Sequence, residues 1–267
     1  WGFDGMVVSD WGGSNSAVAA VRAGGSLEMP APGLAGARQI VEAVEAGELD
    51  AADVYARAQE VLNVAAASAG LPAPTPYDLD EHHKLATRIA SEAITLLRNE
   101  GDLLPLSAGT SVALIGDLAD TPRFQGSGSS QVNPTRTEAP RELLEAGGET
   151  ARGLVLAGYA RGYERHGGTS DACIAEAVAL AASADVALVY VGLDELAESE
   201  GLDRPHMGLP EGQDRLIEAV VAANPRTVVV LTGGASVEMP WADSVPALVN
   251  GYLGGQGGAG AMLDVLT

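Results

Sequence analysis

The chain has 267 residues, of which 46% are hydrophobic and 19% are charged. This length and composition suit one large or two ordinary globular domains and exclude intrinsic disorder. The net charge of −21 gives a surface that repels phosphate backbones and anionic lipid, so we expect no nucleic acid and no membrane as partners.

Few residues suit metal binding or disulfide chemistry. The four histidines lack metal-ligand spacing, so we expect no metal, and no motif implies another cofactor. They are His82, His83, His166 and His206. Cys173 is the single cysteine, in an Ala-rich stretch of helical pattern, which favours a small buried hydrophobe over a reactive thiol.

The first 70 residues alternate strand and helix patterns. Short apolar runs predict strands, and apolar residues at helical spacing predict helices. The predicted elements are a buried strand over 6–8, a helix over 17–21, a strand over 26–29, a helix over 35–46, and a helix from a cap at Asp50 to about residue 67. Residues 71–80 follow as a linker, because three prolines in five residues are typical of a stiff, extended spacer.

Residues 81–267 form a second predicted domain. Continuous Val/Leu runs separated by helices indicate a parallel sheet that is covered on both faces. The predicted strands are 112–115, 154–156, 186–191, 228–231 and 248–252, and the predicted helices are 81–94, 141–146, 171–182 and 211–222. We therefore predict an α/β fold, with a mostly parallel α/β sandwich as the second domain.

Polar side chains directly follow the first predicted strand. Ser9, Asp10 and Trp11 come at its carboxyl end, followed by two glycines. Active sites of α/β barrels and open parallel sheets gather at such strand ends, so Asp10 is a candidate catalytic residue. The position suits equally well an Asp that only organises the turn into the next helix.

A longer pattern favours the catalytic interpretation. Residues 1–11, Trp-Gly-Phe-Asp-Gly-Met-Val-Val-Ser-Asp-Trp, followed by Ala23-Gly24 and Leu27-Glu28-Met29-Pro30, resemble the nucleophile segment of glycoside hydrolase family 3. The resemblance implies that Asp10 attacks the anomeric carbon. The chain departs from the family in having Ser26 where an Asp is usual, a change in the residues that support the nucleophile.

The second domain also resembles this family. Residues 95–106 are similar to the signature that opens the family's carboxyl-side domain. The resemblance implies that residues 1–70 are the carboxyl-side remnant of a (β/α)8-type barrel and that residues 81–267 are the α/β sandwich domain.

An acidic loop after the predicted strand 186–191 offers a second carboxylate. Hydrolysis with retention needs two carboxyl groups about 5 Å apart, although most acidic runs are solvated turns. Residues 200–204, Glu-Gly-Leu-Asp-Arg, are similar to a family motif whose Glu is the acid/base. The resemblance therefore implies Glu200 in this role, with Glu198 as the reserve candidate. For this role the pKa of Glu200 should be raised, while Asp10 stays ionised.

Other residues near the two carboxylates are candidates for substrate binding. Trp11 offers an aromatic face to a pyranose ring, with a core Trp as the ordinary alternative. Ser9 lies beside Asp10. Asp203 and Arg204 are expected to pair and hold the acidic loop, and a direct sugar contact is the alternative.

The Gly/Ser-rich stretch 125–130 has two interpretations. A phosphate-cradling loop is disfavoured, because no Lys-Ser or Lys-Thr follows its glycines. The family resemblance implies instead that the loop packs towards the active-site mouth.

The resemblance as a whole implies a retaining O-glycoside hydrolase, most closely a β-glucosidase, that acts on a β-linked glucoside or oligosaccharide. Family members hold the sugar hydroxyls with groups from earlier barrel strands, which these residues do not include. We therefore expect the chain alone to hydrolyse poorly or not at all, and to work with a missing N-terminal barrel segment or a second chain. A non-catalytic carbohydrate-binding protein and a nucleotide-binding α/β enzyme are the alternatives. The sequence leaves the compartment open.

Overall fold

The computed structural model describes residues 2–166 and 168–267. The chain divides into two compact units, Trp1–Pro76 and Tyr77–Thr267, called here unit 1 and unit 2. Trp1, with which the nucleophile motif begins, lies outside the described residues. The division falls between Pro76 and Tyr77, within the Pro-rich segment.

Unit 1 is built from three helices, α1 (Ala17–Ala23), α2 (Leu34–Glu45) and α3 (Ala51–Ala69). Asp50 caps α3 as predicted, because its carboxylate accepts a hydrogen bond from the Ala52 N–H at 2.9 Å. The buried core of unit 1 is small and contains Val21, Ala43 and Leu49.

The two strands that the sequence predicts in unit 1 are wrong. Residues 6–8 and 26–29 meet in one isolated parallel bridge between Val8 and Leu27. Val7 and Val8 are 47% and 45% exposed, so the predicted burial is also wrong. A parallel strand is buried only when neighbouring strands and helices cover it, and the described part of unit 1 supplies a single short pairing.

Unit 2 contains a mixed, mostly parallel sheet. Its strands are β1 (Thr95–Asn99), β2 (Ser111–Ile115), β3 (Val155–Ala160), β4 (Val186–Gly192), β5 (Thr227–Thr232) and β6 (Ala247–Asn250). They lie in the order β1-β6-β5-β4-β2-β3, with β1 antiparallel to β6 and the other neighbours parallel. The predicted α/β fold is confirmed.

Helices complete unit 2. They are α4 (Leu79–Ala93), α5 (Asp117–Asp120), α6 (Pro140–Ala146), α7 (Asp171–Ala182), α8 (Gln213–Ala223) and α9 (Gly258–Leu266). Helix α4 packs against α9, and α7 packs against α8. The core lies between these helices and the sheet, and every residue of β4 is buried.

The fold also bears on the single cysteine, on metal binding and on membrane spans. Cys173 lies on α7 and is half-buried, so the expectation of a small buried hydrophobe is wrong as to its burial. Among residues 2–166 and 168–267, no group of three or more His, Cys, Asp or Glu is placed to hold a metal ion. Within the same ranges, no helix is long and apolar enough to span a bilayer.

Candidate active site

The carboxyl edge of the unit 2 sheet gathers the loops that follow β2, β4 and β5. Gly116, directly after β2, has φ +116°, and Gly192, the last residue of β4, has φ +156°. A Cβ at Gly116 would overlap the carbonyl oxygen of Tyr190, and a Cβ at Gly192 would overlap that of Thr232. Only glycine allows such close backbone approaches. These two glycines therefore let the ends of neighbouring strands lie close together, and the loops that follow the strands begin at the same edge of the sheet.

Arg123 lies between the loops that follow β2 and β4. Its side chain is only 2% exposed. One terminal nitrogen donates to the carbonyl oxygen of Leu193 at 3.2 Å and to the carboxylate of Glu198, and the other donates to the Glu198 carbonyl oxygen at 3.1 Å. The Glu198 carboxylate also accepts from the Gly234 N–H at 3.0 Å, in the loop after β5. Glu198 therefore joins its own loop, after β4, to the loops that follow β2 and β5.

Glu200 is exposed and contacts the Gly/Ser-rich loop. Its carboxylate accepts a hydrogen bond from the Ser129 N–H at 2.6 Å, and its own N–H donates to the Ser127 carbonyl oxygen at 3.1 Å. Gly128 has φ +103°, and a Cβ there would lie 2.6 Å from the Glu200 Cβ. The glycine thus allows the loop to approach the carboxylate closely.

The electrostatic surroundings of Glu200 in unit 2 differ from those expected. The hydroxyl and the N–H of Ser129, in that order, lower the pKa of the Glu200 carboxyl from its ordinary value, because hydrogen bonds to the ionised form stabilise it. The expectation of a raised pKa is wrong for this arrangement, since the carboxyl stays in water instead of being desolvated.

Glu198 and Glu200 line an open cleft of about 320 Å³, together with Ser127, Asp203 and Arg204. Asp203 and Arg204 do not form the predicted ion pair in this part of the described chain. The Arg204 guanidinium instead donates to the carbonyl oxygen of Ser236 at 2.6 Å, and Asp203 is exposed. Arg204 therefore ties the acidic loop to the backbone after β5.

An ion-pair network that the sequence did not predict connects the start of α5 to the acidic loop. Asp117, at the start of α5 and buried, pairs with Arg161 at 3.0 Å and with Arg165 at 2.9 Å. Arg165 also pairs with Glu195 of the acidic loop at 2.8 Å. Asp117 could have been found from the sequence, because it follows β2 after one glycine and polar residues after parallel strands are functional candidates.

Asp10 and Trp11 are exposed in unit 1, Trp11 by 68%. The Asp10 carboxylate accepts from the Trp11 N–H at 2.8 Å, and its carbonyl oxygen accepts from the Gly13 N–H at 3.0 Å. Ser9 is already bonded, because its hydroxyl accepts from the Met29 N–H at 2.8 Å and donates to the Met29 carbonyl oxygen at 3.3 Å. These bonds join the segment that carries Asp10 to residues 26–29.

Ser26, the departure from the family pattern, supports the same segment. Its hydroxyl accepts from the Val7 N–H at 3.0 Å and donates to Glu60 of α3 at 2.6 Å. Arg57, and to a lesser degree Ser26, lower the pKa of the Glu60 carboxyl. The Ser26 hydroxyl thus connects the segment before Asp10 to the ion pair that Glu60 forms with Arg57 on α3.

Comparisons with known proteins agree with one another. Residues 94–267 match the family model for the glycosyl hydrolase family 3 C-terminal domain. Thermostable beta-glucosidase B of Acetivibrio thermocellus is 44% identical over 269 residues, which cover 100% of this chain and 35% of that protein. Exo-alpha-(1->6)-L-arabinopyranosidase of Bifidobacterium breve is 37% identical over 279 residues, which cover 100% of this chain and 36% of that protein.

A solved structure has a similar fold. The crystal structure of the Bifidobacterium adolescentis GH3 beta-glucosidase superimposes with a TM-score of 0.89 at 37% identity, covering 100% of this chain and 39% of that one. The chain spans 35% and 36% of the length of the two curated relatives above.

Proposed function

Because the chain belongs to glycoside hydrolase family 3, we propose that it carries the two catalytic carboxylates of a retaining O-glycoside hydrolase, most closely a β-glucosidase. The observation that carries this proposal is the position of Glu200. Its carboxylate lies in an open cleft at the carboxyl edge of a parallel sheet, where α/β proteins bind their ligands.

The proposed reaction is a double displacement. Asp10 attacks the anomeric carbon, the bond to the leaving oxygen breaks, and Glu200 gives its proton to that oxygen. Glu200 then takes a proton from water, the water oxygen attacks the anomeric carbon, and the ester bond to Asp10 breaks. The sugar keeps its anomeric configuration because two inversions occur.

Glu200 suits the acid/base role better than Glu198 does. The Glu198 carboxylate is held by the buried Arg123 guanidinium and by the Gly234 N–H, so protonating it would leave a buried cation unpaired. Glu200 is exposed and bonded to one loop only. We propose that substrate binding removes water from this carboxyl and raises its pKa, as a general acid requires.

Further residues of the proposed site have distinct roles. Trp11 has an accessible ring that can stack on the apolar face of a pyranose. Asp203 and Arg204 border the Glu200 cleft and can meet polar groups of the substrate. The Ser9 hydroxyl is occupied by Met29, so its role in this proposal is to hold the Asp10 segment.

The sugar itself has two candidates. The Acetivibrio relative is named a β-glucosidase and the Bifidobacterium relative an α-L-arabinopyranosidase, and both align with the whole chain. The higher identity of the first favours a β-linked glucoside or oligosaccharide as substrate. An α-L-arabinopyranoside is the second candidate.

We also propose that these 267 residues alone hydrolyse such substrates poorly or not at all. The chain spans about a third of its relatives' length, and no residue of α3 is buried. A further barrel segment or a second chain would then supply the groups that hold the sugar hydroxyls.

The test compares the 267-residue chain with a longer polypeptide that contains it. Both are assayed with a nitrophenyl β-glucoside and a nitrophenyl α-L-arabinopyranoside, and NMR identifies the anomer released first. We expect turnover of the glucoside with retention in the longer polypeptide only. Asp10→Asn should lower kcat by about 10³-fold or more, and Glu200→Gln by about 10²- to 10⁴-fold. Release of the inverted anomer, or full activity in either variant, would overturn the proposal.

A further inference from the structure

We propose that the buried Arg123–Glu198 pair positions the loop that presents Glu200, which makes Arg123 a positioning residue of the hydrolytic site. This inference rests on the proposed function, because it assumes that Glu200 is the acid/base. It assigns a role to an arginine that is distant from Glu200 in the chain and lies in none of the three segments that resemble family motifs.

The first observation is the number of bonds that Arg123 makes to one short loop. The guanidinium contacts the loop at its beginning, through the Leu193 carbonyl oxygen, and again at Glu198, through both the carbonyl oxygen and the carboxylate. These contacts span the first turn of the loop. A buried, planar guanidinium with donors in fixed directions restricts the backbone at both points.

The second observation is that the same two chain segments meet again at Glu200. Residues 123 and 127–129 belong to the segment after α5, and Glu198 and Glu200 belong to the loop after β4. The Arg123–Glu198 contact is followed by the Ser127–Glu200 backbone bond and the bond from the Ser129 N–H to the Glu200 carboxylate. Only Ser199 separates the anchor Glu198 from the proposed acid/base, so movement at Glu198 must displace Glu200.

The third observation is the additional anchor on Glu198. The Gly234 N–H donates to the same carboxylate oxygen that Arg123 contacts. Glu198 is thereby held from the loop after β5 as well. Buried ion pairs contribute little net stability compared with apolar packing, and their best-supported use is to specify one conformation. One fixed loop conformation is what a general acid needs, because proton transfer requires hydrogen-bond distance to the leaving oxygen.

The first test measures amide hydrogen exchange in the 267-residue chain and needs no activity. Arg123→Lys keeps the charge but loses the planar fork, and Glu198→Ala removes the anchor. We expect peptides covering residues 194–204 to exchange at least about tenfold faster in both variants, while peptides of β4 and β5 stay protected. Glu198→Gln, which keeps an acceptor oxygen, should exchange at an intermediate rate.

The matched control is Arg215→Lys. Arg215 pairs with Asp171 at 2.8 Å, and both side chains are largely exposed, so the same substitution should leave exchange in residues 194–204 unchanged. Unchanged exchange in Arg123→Lys and Glu198→Ala, with the strands protected, would overturn the proposal. If either variant exposes the strands, Glu198→Gln decides, because it keeps the size of the native side chain and one acceptor oxygen; unchanged exchange of residues 194–204 in this variant would then overturn the proposal.

The second test measures the pKa of Glu200 by carboxyl NMR and compares the direction of its change between variants. Removing the Glu198 charge should lower the pKa of Glu200 by electrostatics alone, because a nearby negative charge is lost. Glu198→Ala and Glu198→Gln both lose this charge, but only Glu198→Ala also loses the acceptor oxygen that anchors the loop. Positioning therefore predicts a higher pKa of Glu200 in Glu198→Ala than in Glu198→Gln, since a loosened loop weakens the bond from the Ser129 N–H. An equal or lower pKa in Glu198→Ala would contradict the positioning role.

The third test separates failure of this inference from failure of the proposed function. In an active polypeptide containing these residues, Glu200→Ala should be rescued by azide with a dinitrophenyl glucoside, because azide attacks the anomeric carbon, displaces Asp10 and needs no base. No rescue of Glu200→Ala would refute the proposed acid/base. Rescue of Glu200→Ala, together with unchanged exchange of residues 194–204 in Arg123→Lys and Glu198→Ala, would refute the positioning role alone.

Discussion

Gly128 is the residue on which the approach of the Gly/Ser-rich loop to Glu200 depends. Its φ is +103°, and a Cβ would lie 2.6 Å from the Glu200 Cβ. We expect Gly128→Ala to lower the free energy of unfolding by about 1–3 kcal/mol through backbone strain and to separate the two loops. Denaturant unfolding and exchange of residues 194–204 measure both effects. Gly126→Ala is the control, because its φ is not positive and its Cβ would meet only the Ser130 hydroxyl; equal effects in the two variants would contradict this interpretation.

Ser129 gives a prediction about pH. Its hydroxyl and N–H lower the pKa of Glu200, so the folded state binds this proton less tightly than the unfolded state does. The contact therefore stabilises the fold at pH values above the unfolded carboxyl pKa, and this stabilisation is lost as the pH falls through the lower folded pKa.

Ser129→Ala should move the pKa of Glu200 upwards towards its ordinary value, because the hydroxyl is lost while the N–H stays. Carboxyl NMR titration measures the change, and Ser130→Ala in the same loop is the control. A pKa of Glu200 that is unchanged in Ser129→Ala would show that the hydroxyl has no such effect.

Side-chain partners near the two carboxylates could not be predicted in detail from the sequence. The motifs placed Glu200 and Asp203 correctly in one loop, but Arg204 bonds to the Ser236 carbonyl oxygen instead of to Asp203. Arg123 was missed because its partner Glu198 is distant in sequence and no local pattern marks the pair. Such contacts depend on how three loops fold together, which residue spacing does not record.

Among the helices and strands, those strands were predictable in which apolar residues run continuously. Strands β2, β4 and β5 lie within two residues of their predicted bounds because their Val/Leu runs are buried on both faces. Strand β1 was not predicted, since it is an edge strand and partly exposed. Helix α9 was missed because two glycines in its first turn, Gly258 and Gly260, disfavour a helix, although its burial in the core overrides that propensity.

The ends of the central strands give a second stability prediction. A Cβ at Gly116 would overlap the Tyr190 carbonyl oxygen, whereas a Cβ at Gly109 meets no atom within 4 Å; both glycines have positive φ. Gly109→Ala should cost about 1–3 kcal/mol from backbone strain alone. Gly116→Ala should cost at least about 2 kcal/mol more, because the strands must also move apart. Equal unfolding free energies in urea would show that the close approach of β2 and β4 is not needed.

At the scale of the whole chain, the two units differ in their cores. Unit 2 buries most of its sheet, whereas the buried cluster of unit 1 contains Val21, Ala43 and Leu49 and no residue of α3. We expect urea to unfold unit 1 first, with amides of residues 17–69 exchanging faster than those of β2, β4 and β5. A single cooperative transition with equal protection in both units would contradict this expectation.

We propose Asp10 as the nucleophile of a retaining glycosidase. The most direct measurement is mass spectrometry after exposure to a 2-deoxy-2-fluoro-β-glucoside with a good leaving group, because the fluorine slows the second displacement and traps the glycosyl-enzyme. The reagent is applied to the 267-residue chain and to a longer polypeptide that contains it. We predict one sugar adduct on the peptide that carries Asp10, in the longer polypeptide, and none in its Asp10→Asn variant. A folded, active polypeptide that gives no adduct, or that carries it on another carboxylate, would contradict the claim.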